Sequence, residues 1–149
     1  MVYNNEIEAV KWYLKAANNG EAIAQNNLGF AYESGDGVEK NFTEAIKWYK
    51  KAANQGDDVA QNNLGIKYYR GKGVTKDYTE ALKWFKKAAN QGYADAQDWV
   101  GLIYDNGKGV AEDDAEAIKW YKKAANQGNA NAQKNLGSAY EYGRGISKD

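Results

Sequence analysis

The residues best placed to do chemistry in this sequence are amides rather than nucleophiles. Asn27, Asn63 and Asn135 share one position of a recurring pattern, and Asn26 and Asn62 precede two of them. A carboxamide carries two donors and an acceptor, so a spaced series of them can hold an extended peptide backbone without reading its side chains. Trp99 takes the place of an Asn in that series, beside Asp98. An aromatic side chain among polar neighbours suits a binding anchor. Nucleophilic chemistry has much less to draw on. Ser34, Ser138 and Ser147 stand apart, none of them in a nucleophile motif with Lys or His. The sequence has no His and no Cys, which removes the usual general base near neutral pH, the commonest metal ligand and every thiolate. Asp57-Asp58 and Asp113-Asp114 lack calcium-loop spacing and fall near helix starts, where the dipole favours acids. Gly35-Asp36-Gly37 lacks the strand and the Gly-Lys-Ser/Thr ending of a phosphate loop, and reads as a turn. Asn41-Phe42-Thr43 has the form of a glycosylation sequon, but Asn41 is placed first as a helix cap. No catalytic, cofactor-binding or metal-ligating residue is expected.

Stepping outward, the amides need helices to space them. Trp12, Trp48, Trp84 and Trp120 are 36 residues apart, as are Gly20, Gly56, Gly92 and Gly128, and Tyr32, Tyr68, Tyr104 and Tyr140. KWYKKAANQG occurs unchanged at Lys47–Gly56 and Lys119–Gly128. A fixed period of this length is the mark of a solenoid or array. Each period holds two helices. One, over about Asn41–Gln55 and its equivalents, opens on Asn41 with Glu44, Asp77 with Glu80, or Asp113 with Glu116, the spacing of an N-cap and an acidic third residue. Phe42, Ala45, Trp48, Tyr49, Ala52 and Ala53 then form one apolar stripe, ended by Gly56. The other helix, over about Glu21–Ser34, places Ala24, Leu28 and Tyr32 on one face. Gly29, Gly65, Gly101 and Gly137 sit mid-helix, where Gly costs about 1 kcal/mol relative to Ala. That recurring cost predicts a close helix approach with no room for a side chain. The four repeated tryptophans are expected in the core.

Charge balances at 20 Lys plus Arg against 20 Asp plus Glu, without the basic excess of a nucleic-acid binder. No apolar run is long enough to span a membrane. The lysine pairs Lys50-Lys51, Lys86-Lys87 and Lys122-Lys123 read as a solvated outer face or as a basic stripe for an acidic partner. Met1-Val2-Tyr3-Asn4-Asn5 is no signal peptide, and Val2 stands where Val38, Val74 and Val110 stand. The chain thus opens inside the repeat register and reads as an excised or engineered piece of a longer array. Its compartment stays open: cytoplasmic, or periplasmic or secreted if a leader was removed.

The pattern A-x-A-Q-x-x-L-G-x-x-Y-x-x-G-x-G-V, followed by D-x-x-E-A-x-K-W-Y-x-K-A-A-x-x-G, resembles the Sel-1-like repeat family, a relative of the tetratricopeptide repeats. In that family's phase helix A precedes helix B. The chain then reads as one domain over 1–149, with a leading helix B at 5–19, full A–B repeats at about 21–56, 57–92 and 93–128, and a trailing helix A at 129–142. The resemblance implies an all-α fold of about eight helices, a right-handed α/α superhelical solenoid whose A helices line a concave surface. It further implies an adaptor or scaffold that binds a protein or an extended peptide. Partner-binding residues are expected where the A helices vary: Asn26, Asn27 and Phe30; Asn62, Asn63, Tyr69 and Arg70; Asp98 and Trp99; Lys134, Asn135 and Tyr142. Two further readings stand beside these, ordinary polar surface for the amides and local packing over Leu102 or a neighbouring helix for Trp99. The alternatives in function are a purely architectural module, or a binder or hydrolase of β-lactam or cell-wall ligands as in cysteine-rich relatives, whose cysteines are absent here. No polar capping helix is visible at either end, so head-to-tail self-association through Leu136 and Tyr140 is also expected.

Overall fold

The structure, a computed structural model, describes residues 2–144, with side chains from residue 5 onward. Its helices are α1 (Val2–Asn18), α2 (Ala22–Ser34), α3 (Phe42–Asn54), α4 (Asp58–Arg70), α5 (Tyr78–Asn90), α6 (Ala94–Asn106), α7 (Asp114–Asn126) and α8 (Ala130–Glu141). The described residues form these eight helices and no strand, as the period predicts. Odd-numbered helices are of the B type and even-numbered ones of the A type. The chain divides into two compact units, Met1–Lys76 with α1 to α4 and Asp77–Asp149 with α5 to α8.

The B helices start and stop where their sequences provide for it. Asn41, Asp77 and Asp113 each accept a hydrogen bond from the backbone N–H three residues on, at 3.0–3.1 Å. That side-chain oxygen satisfies a donor the helix leaves unpaired. Asp113→Ala should therefore cost about 1 kcal/mol in urea unfolding, and Asp113→Asn much less. At the other end Gly56 and Gly128 adopt φ of +95° and +92°. The chain then folds back so that Asp57 and Asn129 donate to the Ala52 and Ala124 carbonyls. The two residues do double duty, since their side chains also cap the A helices α4 and α8. The first helix departs from this pattern and runs through Asn5, the position that caps the others. Asn41 is held in its extended approach by its N–H to the Tyr32 carbonyl at 2.8 Å. No helix precedes Asn5 among the described residues to hold it likewise.

Each A helix grips the B helix before it through a glutamine. The Gln25, Gln61 and Gln97 amides are buried and donate to the carbonyls of Ala17, Ala53 and Ala89, in the last turn of the preceding helix. These carbonyls have few partners within their own helix. Closer still is the approach of α2 to α3 and of α6 to α7. A Cβ on Gly29 would lie 2.7 Å from the Tyr49 ring, and one on Gly101 would lie 2.6 Å from that of Tyr121. At Gly29 and Gly101 a tyrosine ring occupies the space of the missing side chain.

The repeated tryptophans are core in three places out of four. Trp48, Trp84 and Trp120 are buried, and Trp48 packs on Ala17 of α1 and on Ala24 and Leu28 of α2. Trp12 is the correction, at 63% exposed. The surface that covers Trp48 belongs to the preceding helices, and among the described residues no helix precedes α1. The lysines also differ from a merely solvated face. Lys51, Lys87 and Lys123 lie 4.4–4.7 Å from the ring centroids of Trp48, Trp84 and Trp120. Lys50, Lys86 and Lys122 lie over Tyr68, Tyr104 and Tyr140 at 5.2–5.8 Å. Their stems shield aromatic edges while the charge stays near water.

Candidate functional site

In the first unit the expected amides tie two A helices together. Asn63 of α4 donates to Asn26 of α2 at 3.1 Å. In the second unit Asn135 of α8 donates in the same way to Asp98 of α6, also at 3.1 Å. Asn63 and Asn135 are thus half-buried and already engaged with the neighbouring A helix. Burial pushes the Asp98 carboxyl up, the Asn135 hydrogen bond pulls it back, and Asp95 adds to the rise. Asn62 departs from the expected surface placement: it is 4% exposed, and its Oδ1 has no hydrogen-bond partner. Asn26 and Asp98, its repeat equivalents, each receive an Asn amide.

Trp99 is half-buried and stacks on Phe85, with centroids 5.1 Å apart and planes within 6°. One ring face is therefore taken by the core, and the expectation of a freely exposed anchor gives way to local packing. Phe30 is the exposed aromatic, at 58%. With Asn27, Ala31 and Asp36 it faces Glu6, Ala9, Val10 and Tyr13 of α1 across a cavity of about 180 Å³. Arg70, Lys134 and Tyr142 are exposed, with Arg144 over the Tyr142 ring; Tyr69 is half-buried.

A second set of residues escaped the sequence reading. Tyr49 donates its hydroxyl to Glu33 Oε2 at 2.7 Å, and Lys67, itself buried, forms an ion pair with Glu33 Oε1. Three helices, α2, α3 and α4, are pinned by that one carboxylate. Burial pulls the Lys67 ammonium down to about 8, and Lys72 and Arg70 push the same way. The Tyr49 phenol is pushed well up by burial. The second unit repeats the device in a more open form: Tyr121 donates to Asp105 Oδ2 at 3.2 Å, and Arg144 approaches Asp105 Oδ1 at 3.4 Å. A signal for Lys67 was present in the sequence. It stands in a column otherwise filled by Ala31, Ile103 and Ala139. Among the described residues no group of acids could hold a metal ion, and no helix is long and apolar enough to cross a membrane.

Comparison with known proteins bears on this arrangement. The family model for the Sel1 repeat matches residues 1–21, 22–57, 58–93, 94–129 and 130–149. No curated protein matches the chain. Among solved structures, a protective antigen present in uropathogenic Escherichia coli strains, displaying an SLR fold, is 41% identical with a TM-score of 0.93. The match covers 96% of this chain and 31% of that protein. A Sel1 repeat protein from Oxalobacter formigenes is 43% identical with a TM-score of 0.91, over 96% of this chain and 59% of that one. Helicobacter pylori cysteine rich protein B is 25% identical with a TM-score of 0.72, over 91% of this chain and 98% of its own. The chain therefore spans less than two thirds of the first two relatives.

Proposed function

The chain belongs to the Sel1 repeat family, and from that premise we propose that it binds a protein or extended peptide along its A helices. The reading is non-catalytic and involves no nucleic acid. The observation that carries it is Phe30, a large apolar side chain left 58% exposed beside a cavity bordered by Asn27. An exposed aromatic next to an amide and an apolar hollow supplies both an anchor and a backbone ligand. In the second unit Asp98, Trp99, Lys134 and Asn135 offer the corresponding positions.

The test compares affinity capture by the wild type, an Asn27→Ala/Phe30→Ala variant and an Asn63→Ala/Trp99→Ala variant, after circular dichroism shows equal helicity. A partner held by the wild type and at least tenfold weaker on either variant supports the A-helix face; tenfold is about 1.4 kcal/mol of contact. Equal capture by all three moves the site to the lysine-bearing side. Capture of nothing specific favours a purely architectural module.

A further inference from the structure

The second halves of α3, α5 and α7 each carry an adjacent lysine pair: Lys50-Lys51, Lys86-Lys87 and Lys122-Lys123. No acid stands in the second half of any of these helices. Lys47, Lys83 and Lys119 each sit 3.7–3.8 Å from an acid in the first turn, but the six paired lysines make no ion pair among the described residues. A helix C-terminus presents about half a negative charge, so two lysines leave about one and a half positive charges over. The acids along α6 are engaged elsewhere, Asp95 with Asn129, Asp98 with Asn135 and Asp105 with Tyr121. The zero net charge of the chain therefore hides a segregation of sign.

In the second unit two of the lysine pairs belong together. Gln127, at the end of α7, donates to the carbonyl of Gly92, just beyond α5, at 2.9 Å. The lysine-bearing ends of α5 and α7 thus lie side by side. Each ammonium lies 4.4–5.8 Å from a Trp or Tyr ring centroid, which holds it in place before any partner arrives. Side chains already ordered lose less freedom on binding. Lys87, Lys122 and Lys123 are exposed and Lys86 is half-buried. A helix precedes and follows each of α3, α5 and α7, and their lysines still face solvent. Packing of one repeat on the next does not close this face.

We propose that the paired ends of α5 and α7 bind an acidic polypeptide segment, its carboxylates meeting Lys86, Lys87, Lys122 and Lys123. In the first unit Lys50 and Lys51 offer the same pair. An anionic membrane fits less well, because lasting adhesion takes apolar side chains beside the basic cluster. The exposed large apolar side chains lie on α1, α2 and α8 and at Tyr142, and none on α3, α5 or α7. A nucleic acid fits less well too. The cluster holds no Arg to pair with phosphate oxygens, and the indoles beneath Lys87 and Lys123 are buried. This surface is separate from the A-helix face and does not rest on the reading above.

Fluorescence anisotropy of a labelled oligoglutamate peptide with the full chain decides it. The salt is set at about 0.1 M, where exposed charges more than about 10 Å apart are largely screened. The wild type should bind. Lys86→Gln/Lys87→Gln/Lys122→Gln/Lys123→Gln should bind about tenfold more weakly, each exposed pair contributing about twofold. Should that variant lose helicity, Lys86→Gln/Lys122→Gln leaves the lysines over the tryptophans in place and should bind about fourfold more weakly. Lys40→Gln/Lys72→Gln/Lys76→Gln/Lys108→Gln removes as much charge from the loops that lead into the B helices, about 13 Å of helix away. It should stay within about twofold of the wild type. Asn27→Ala/Phe30→Ala should bind as the wild type does. Phosphatidylserine vesicles and a duplex oligonucleotide should each displace the peptide less well than unlabelled oligoglutamate at equal charge. A wild type that binds no peptide overturns the proposal, as does equal loss in both quadruple variants or loss in Asn27→Ala/Phe30→Ala. Better displacement by vesicles or duplex overturns it as well.

Discussion

Glu33→Ala should destabilise the first unit by about 3–5 kcal/mol at neutral pH, the range for removing one partner of a buried ion pair. The loss has two parts. The Lys67 ammonium, 6% exposed at its side chain, is left without its counter-charge, and the Tyr49 hydroxyl is left without its acceptor. Relief by proton loss has a ceiling: neutralising an ordinary lysine at pH 7 costs about 5 kcal/mol. Lys67→Met should behave quite differently. It places an apolar side chain in a column of Ala31, Ile103 and Ala139, and it leaves Glu33 bonded to Tyr49 at the edge of solvent. Replacing a buried charge by an apolar side chain of similar length is often neutral or stabilising.

The same pair fixes a pH dependence whose sign differs from that of an ordinary ion pair. The folded chain releases the Lys67 proton near pH 8, the unfolded chain near 10.5. Between those values the unfolded chain holds the extra proton, so raising the pH through this window favours the folded state. Tyr49 acts in the opposite direction only above about pH 10, where an unfolded tyrosine ionises and the buried phenol does not. Urea midpoints of the wild type and Lys67→Met at pH 7.5 and 9.5 check this. The difference should move in favour of the wild type at the higher pH; a difference that stays constant or moves toward the variant contradicts the depressed ammonium.

What the sequence disclosed follows from how local each feature is. Caps, helix ends and the mid-helix glycines depend on residues a few positions apart, and Asn41, Gly56 and Gly29 could be placed from the repeat alone. Trp12 could not, because its register position is identical to that of Trp48, and only the lack of a covering helix among the described residues separates them. Asn27, Asn63 and Asn135 were legible as a series, but not that Asn63 and Asn135 donate to the A helix before them. That depends on the offset between neighbouring helices, which a period does not state. Trp99 was legible as a tryptophan out of register, but not that its indole stacks on the Phe85 ring of α5. Lys67 was missed because a polar residue in a column of apolar ones signals a buried partner on another helix, and the partner, Glu33, lies 34 residues away at a different repeat position.

The glycine column yields the sharpest contrast, because one substitution should change sign along it. Gly101→Ala puts a Cβ 2.6 Å from the Tyr121 ring and 3.2 Å from the Ala117 carbonyl. The ring has little freedom to withdraw: Tyr121 is 1% exposed, and its hydroxyl is held by Asp105. Overpacking of this kind costs about 1–3 kcal/mol, and more where the neighbour is fixed at both ends. The gain in helix propensity on replacing Gly by Ala offsets about 1 kcal/mol of that. Gly29→Ala meets the same obstacle, since the Tyr49 ring lies at 2.7 Å and its hydroxyl is bonded to Glu33. At Gly137 the obstacle is missing, so the propensity term acts alone and Gly137→Ala should stabilise the monomer by about 1 kcal/mol. Urea unfolding of dilute protein, where copies stay apart, should therefore show Gly101→Ala and Gly29→Ala below the wild type and Gly137→Ala above it. If all three were stabilised, the ring would have to move aside at little cost, and the close A–B approach would not be what the repeated glycine is for. If all three were destabilised, the Gly137 face of α8 would have to be covered in the folded chain, against the open space seen beside it among the described residues.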